Sequence, residues 1–139
     1  MSDLKIMGWR EWVGFPELNI PHVKAKIDTG ARTSALHAFR VEPFSRGSEQ
    51  WVRFGIHPIQ GDNETVIECE SPITDQRAVR DSGGHEELRY CIETVITVAG
   101  RSIRSEVTLT DRDSMKFRVL LGRNTLASNF LLVEHETAD

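Results

Sequence analysis

The chain has 139 residues, a formal net charge of −4 and 27% charged residues. That length suits one domain, residues 1–139, with a sizeable core, and a hydrophobic content of 39% excludes a disordered chain. The acidic balance argues against a nucleic-acid partner, which calls for a basic excess, and no apolar run is long enough for a membrane span or a signal peptide.

In chain order, residues 6–13 (I-M-G-W-R-E-W-V) read as an opening strand punctuated by Gly8 and Gly14, with Trp9 and Trp12 as core or interface aromatics. Residues 15–21, bounded by Pro16 and Pro21, read as a turn. Val23, Ala25 and Ile27 alternate as a strand, and residues 33–38 form the next. Residues 39–50 carry Pro43 and Gly47 and read as loop. Residues 51–56 and 65–70 are strands stopped by Pro58 and Pro72. Residues 73–87 are the most polar segment, with Gly83-Gly84, and read as an exposed mobile loop. Residues 90–98 and 103–110 alternate and are joined by a hairpin turn at residues 99–102. Residues 118–121 form a short apolar strand, residues 122–127 one helical turn, and residues 130–133 a last strand. Eight or nine short strands with no helical crossover argue for an all-β barrel or sandwich.

Two cysteines, Cys69 and Cys91, make no C-x-x-C pair, hence neither a zinc nor a redox motif. They read as half-buried strand residues of a cytoplasmic protein with reduced thiols. The basic residues are lopsided, 13 Arg to 4 Lys. Arginine grips carboxylates in bidentate fashion, so this bias fits either an ordinary solvated surface or an Arg-lined groove for acidic peptides.

The stretch of greatest interest is Asp28-Thr29-Gly30, an acid, a hydroxyl and a glycine at a tight turn between two strands. These are ordinary turn residues, and most such triplets cap a turn and nothing more. The same arrangement also holds one carboxylate still on a rigid base, with Gly30 allowing backbone geometry closed to other residues.

A second feature stands with it. Ile27-Asp28-Thr29-Gly30-Ala31 lies on an early strand turn, and Val119-Leu120-Leu121-Gly122-Arg123-Asn124 lies near the C-terminus before a short helix. This pairing resembles the retropepsin-like aspartic proteases, the single-lobe relatives of pepsin. The resemblance implies an all-β acid-protease barrel with one short C-terminal helix, in which Leu120, Leu121 and Gly122 cross beneath the Asp-Thr-Gly loop and support it. Through Gly8-Trp9-Arg10-Glu11-Trp12, residues 24–37 and residues 117–123, nearly the whole chain is similar to a bacterial group labelled ATP-dependent zinc proteases. That group is associated with ATP-grasp ligases that add glutamates to protein ends, and the resemblance implies such a ligase as partner. The label's own chemistry is not legible here. His22, His37, His57, His85 and His135 are scattered without H-E-x-x-H, and no G-x-x-x-x-G-K-[ST] loop occurs, so no metal and no cofactor is expected.

The family chemistry needs two carboxylates about 3 Å apart sharing one proton. The resemblance therefore makes Asp28, Thr29 and Gly30 the catalytic triplet and implies a homodimer that brings two copies of Asp28 together on its two-fold axis. Thr29 would bond across that interface, residues 130–133 or the chain ends would supply a dimer sheet, and residues 73–87 would be the flap. A second triplet, Asp81-Ser82-Gly83, lacks a strand before it and reads as loop. Ala31, Arg32 and Arg123 would bind a peptide or protein substrate. Viral relatives carry an acid where Arg32 stands, paired with the arginine at the position of Arg123. That pair cannot form here, and the two arginines are expected to hold an acidic peptide such as a glutamate tail. Two other classes stand beside the endopeptidase: a non-catalytic retropepsin-fold adaptor acting with a glutamate-adding ligase, and a metal-dependent hydrolase with ligands from distant residues.

Overall fold

The computed structural model describes residues 10–28, 30–59, 64–80, 83–110 and 117–126. The chain opens with β1 (Arg10–Phe15), a single 3-10 turn (Pro16–Leu18) and β2 (Ile20–Ile27). Asn19 takes a left-handed conformation, φ 60°, to turn the chain between them. In β2 the residues Val23, Ala25 and Ile27 are buried, as the alternation requires, and Ile20 is buried at the start of the strand, out of that phase. There follow β3 (Ser34–His37), β4 (Phe39–Arg46), β5 (Glu49–Ile56), β6 (Ile67–Pro72), β7 (Asp75–Arg80), β8 (Glu86–Val98), β9 (Arg101–Thr110), β10 (Val119–Leu121) and the one-turn helix α1 (Arg123–Leu126).

Six strands close into a barrel in the order β1-β2-β10-β3-β9-β8 and back to β1. Closure rests on a short ladder, Val13 against Val98 and Gly14 against Thr97. Gly14 is required there, since a Cβ would stand 2.7 Å from the Pro21 carbonyl oxygen and 2.8 Å from Thr97 Oγ1. Strand β7 extends the sheet outward from β8, and β4-β5-β6 form a separate antiparallel sheet. One core serves both sheets: Phe15, Ile20, Val23, Leu36, Ile92, Ile96 and Leu121 from the barrel meet Val52, Phe54 and Ile56 from β5. Burying side chains of this size contributes about 1.5–3 kcal/mol each, which holds the two sheets together. The all-β barrel with one short helix is as the sequence and its family resemblance imply.

Three expectations are corrected. Residues 39–50 are not loop: β4 pairs with β5 through a turn at Gly47, φ 65°. Pro43 is tolerated because β4 is an edge strand, where a missing N–H breaks no ladder bond. Residues 73–87 are not an open loop but the hairpin of β7 and β8, paired from Asp75–Cys91 to Arg80–Glu86. The cysteines are not half-buried: Cys91 is fully buried and Cys69 nearly so, both as free thiols. Trp12 is 60% exposed and so lies outside the core, one of the two places expected for it. The readings on Gly8, Trp9, Thr29, Asp81 and residues 130–133 fall outside the described residues.

Candidate active site

Strand β2 ends at buried Ile27 and delivers Asp28 to the barrel rim, half-buried. The Asp28 N–H donates to the Leu121 carbonyl at 3.0 Å, which continues the parallel β2–β10 ladder by one bond. The chain then turns tightly. Gly30 N–H donates to Asp28 Oδ1 at 2.9 Å, and Ala31 N–H donates to the Asp28 carbonyl at 3.1 Å. A backbone donor on one carboxylate oxygen restrains the side-chain rotamer. Thr29, between these residues, lies outside the described part of the chain.

Leu120, Leu121 and Gly122 run beneath this turn. Leu121 and Gly122 are buried and Leu120 half-buried. Gly122 is there because nothing larger fits: a Cβ would meet the Thr33 carbonyl carbon at 2.8 Å and the Ala31 and Thr33 carbonyl oxygens at 2.9 Å, all backbone atoms. With the two segments this close, Arg123 N–H donates to the Ala31 carbonyl at 2.8 Å and Asn124 N–H to the Arg32 carbonyl at 3.0 Å. The start of α1 is thereby bonded to the residues just after the Asp28 turn. Arg123 Nη1 also reaches the Gly30 carbonyl at 3.3 Å, while the Arg32 side chain is exposed. The sequence-derived residues Asp28, Gly30, Ala31, Arg32, Leu120, Leu121, Gly122 and Arg123 are thus assembled in one place.

Behind them stands a polar ring that the sequence reading missed. Asn124 Oδ1 accepts from Ser34 N–H at 2.9 Å while its Nδ2 donates to the Glu106 carbonyl at 2.8 Å, which fixes the amide orientation. Directions then follow around the ring. Ser34 O–H donates to Asn124 Oδ1 (3.2 Å), Thr125 O–H to Ser34 Oγ (2.6 Å), Ser105 O–H to Thr125 Oγ1 (2.7 Å), and Asn124 Nδ2 to Ser105 Oγ (3.2 Å). Ser34 Oγ also accepts from the Gly122 N–H at 2.9 Å. Ser34, Ser105 and Thr125 are buried, and every hydroxyl proton in the ring has an acceptor, as buried polar groups require. The one signal available beforehand was Asn124 in the Gly122-Arg123-Asn124 run. Small hydroxyl residues in strands otherwise look like surface.

The β7–β8 hairpin is pinned near this ring. Arg77 pairs with Asp75 at 2.9 Å and with Glu106 on β9 at 2.7 Å, one residue beyond Ser105. The Gln76 N–H and then the Arg77 guanidinium hold the Asp75 carboxyl below its ordinary range. Asp75, Cys91 and Glu106 place their ligand atoms within 4.8 Å of one another, a set that could hold a metal ion. A cation already bridges the two carboxylates, that of Arg77, and burial raises the Cys91 pKa, keeping it a neutral thiol.

Residues 6–136 match the model of a family described as RimB-like, retropepsin-like aspartic endopeptidase RimB. The chain is 45% identical over 138 residues to a "Probable alpha-L-glutamate ligase" of Shewanella pealeana, covering 99% of this chain and 30% of that protein. It is 41% identical over 128 residues to a protein of the same name from Desulfotalea psychrophila, covering 92% of this chain and 28% of the relative. The chain therefore spans less than a third of the curated relatives it matches. A crystal structure of a Legionella pneumophila protein of unknown function superposes with a TM-score of 0.77 at 21% identity, over 94% of this chain and 93% of that one. That likeness bears on the fold.

Proposed function

The chain belongs to the RimB-like family of retropepsin-like aspartic endopeptidases, and from that premise we propose that it hydrolyses peptide bonds with Asp28 from each of two protomers. The observation that carries this reading is the held carboxylate: Asp28, oriented by the Gly30 N–H and fixed from beneath by Leu121 and Gly122. Each chain brings one such aspartate, so the dyad is completed across a two-fold axis. At about 3 Å separation the two carboxylates share one proton. The ionised one takes a proton from water as its oxygen attacks the peptide carbonyl carbon. The protonated one donates to the carbonyl oxygen. Collapse of the tetrahedral intermediate breaks the C–N bond: the aspartate that took the water's proton gives it to the leaving amine, and a hydroxyl of the intermediate returns a proton to the other aspartate, restoring the shared proton. The β7–β8 hairpin closes over the substrate as a flap to exclude water.

Acidic peptides are the substrate class this reading favours. Arg32 and Arg123 adjoin the turn, and the segment's relatives carry the name of a glutamate ligase. A ligase of that kind is accordingly the proposed partner, in the reducing cytoplasm where Cys69 and Cys91 stay free. Reversing the charge of Arg32 (Arg32→Glu) is expected to abolish binding of an oligoglutamate peptide; unchanged binding removes Arg32 from substrate recognition.

A second reading has its own support. The matching segment occupies 30% of a chain named as a ligase, the arrangement expected of an adaptor or regulatory module that acts with the ligase without hydrolysing peptides. The discriminating experiment is digestion of a diverse peptide mixture, glutamate-rich peptides included, by wild type and Asp28→Asn between about pH 4 and pH 7.5, with and without chelator. Products lost in Asp28→Asn and indifferent to chelator support the aspartic mechanism. Identical blanks transfer the weight to the adaptor, and chelator-sensitive products to a metal-dependent hydrolase.

A further inference from the structure

The outer face of β1 and β2 carries a feature the Asp28 chemistry leaves unused. Trp12, 60% exposed, stands edge-on to His22 with ring centroids 6.5 Å apart, and Lys24 Nζ lies 5.3 Å from its ring centroid. With Pro58, Ile59 and Arg118 these residues line a cleft of about 350 Å³. Ile59 is itself 52% exposed. Trp12, Pro58 and Ile59 bring their apolar surface together in one cleft with a polar rim, the arrangement of a ligand groove.

The charge of the cleft is one-sided. Among the described residues its polar lining is Lys24, Arg118 and His22, with no carboxylate, in a chain whose net charge is −4. Arg118 Nε donates to the His57 carbonyl at 2.8 Å, which anchors that guanidinium at the cleft wall. The cations continue beyond the cleft: Trp12 lies opposite Lys24 and Arg10 opposite Lys26 in the β1–β2 ladder. Lys24 and Lys26 therefore line β2 on the way to Asp28, which follows the strand directly. At about 3.3 Å per residue, Lys24 is roughly 13 Å along the strand from Asp28.

We propose that this cleft is an exosite for an acidic peptide segment bearing one large apolar side chain. The apolar side chain seats among Trp12, Pro58 and Ile59, and carboxylates on either side of it pair with Lys24 and Arg118. An apolar anchor gives such a site its affinity, and the charged rim gives it sign selectivity and steering. The exosite stands on the chemistry of this face and not on hydrolysis at Asp28.

The test is therefore made with Asp28→Asn, where no peptide is consumed and failure of the catalytic reading cannot be mistaken for failure of this one. Binding of a Glu-Glu-Phe-Glu-Glu peptide is measured by calorimetry beside Lys-Lys-Phe-Lys-Lys and an all-glutamate pentapeptide. The acidic phenylalanine peptide is expected to bind, the lysine peptide to give no heat, and the all-glutamate peptide to bind at least about tenfold more weakly. Trp12→Ala and Lys24→Glu should each weaken binding about tenfold or more. Because Arg32 is itself proposed to hold acidic peptides, the peptide series is repeated with Arg32→Glu added, where the acidic phenylalanine peptide should still bind with its affinity nearly unchanged; loss of its binding there overturns the exosite even where a Trp12 or Lys24 variant does not fold. Equal binding of the acidic and basic peptides, or retention of full affinity in both variants, overturns the exosite. So does conversion of a dimer to a monomer by Trp12→Ala, which would assign the face to a second copy of the chain.

Discussion

Behind the Asp28 turn, Ser34, Ser105, Asn124 and Thr125 bond in a ring that contains no formal charge. On the three-stranded sheet, Arg46 and Arg53 share Glu70 at 2.7 and 2.9 Å and stack over Trp51 and Phe44, while Arg40 reaches Glu68. Both are connected polar lattices, and they differ in what surrounds them. The three hydroxyls of the ring are buried, so each must have its partner. The arginine lattice is exposed, where water replaces any partner that is lost and ion pairs contribute little. Placement of a carboxylate calls for the first kind of construction. A solvated surface is served by the second.

The sharpest way to break this contrast is Gly122→Ala. The new methyl would meet Ala31 and Thr33 backbone, which cannot swing aside as a side chain can. Loss of about 3 kcal/mol or more in denaturant unfolding is expected. A loss below about 1 kcal/mol would mean that the two segments separate freely and do not brace the turn. Next is Thr125→Val, nearly isosteric, which strips the hydroxyl that takes the Ser105 proton and supplies Ser34. It should cost about 2 kcal/mol, since buried groups are left unpaired, and unchanged stability would remove the ring's structural role.

Smaller effects belong to the exposed lattice. Hydrogen bonds from Arg46 and then Arg53 hold the Glu70 carboxyl below its ordinary value of 4.5. A depressed carboxyl stabilises the folded chain above its unfolded pKa and loses that contribution as pH falls through the folded pKa. Glu70→Gln should accordingly lower Tm slightly at neutral pH, with the two melting curves converging in acid. A gap that widens in acid would reverse the sign. Smallest of all is the expected effect of a thiol alkylating reagent at neutral pH. Burial pushes Cys69 up to about 12, so its neutral form is favoured by folding below the ordinary thiol value and that contribution is lost only as pH rises beyond it. Cys91 is buried too. Mass spectrometry should find both thiols unmodified in the folded chain and both modified on unfolding; ready modification in the folded state would show that the core opens.

What could be read beforehand follows the same division. The Asp28 turn and its support were legible because both are local: a triplet after an alternating strand, and Leu120-Leu121-Gly122 before a helical turn. Strands β4 and β7 were not legible. Pro43 and Gly47 punctuate the first, and an edge strand tolerates a proline that a central strand would reject. The second is exposed or half-buried from Asp75 to Ala78 and is held by its ladder with β8 and by Arg77. Periodicity reports burial, and a strand that buries neither face carries no such signal. Ser34, Ser105 and Thr125 were hidden for the opposite reason. Their hydroxyls look like surface until the parallel pairing of β3 with β9 and the turn of α1 bring them together. Trp12 shows the limit from the other side: a large apolar residue in a strand pattern that the barrel leaves outside.

The central claim is that two chains each supply one Asp28 to a single dyad. It is tested most directly by holding wild type at a fixed concentration and adding increasing Asp28→Asn protein, with subunits allowed to exchange, while peptide hydrolysis is followed. Activity should fall as the inactive chain is added, because every mixed dimer holds only one aspartate. Activity that stays proportional to the wild-type chain alone would contradict the shared site.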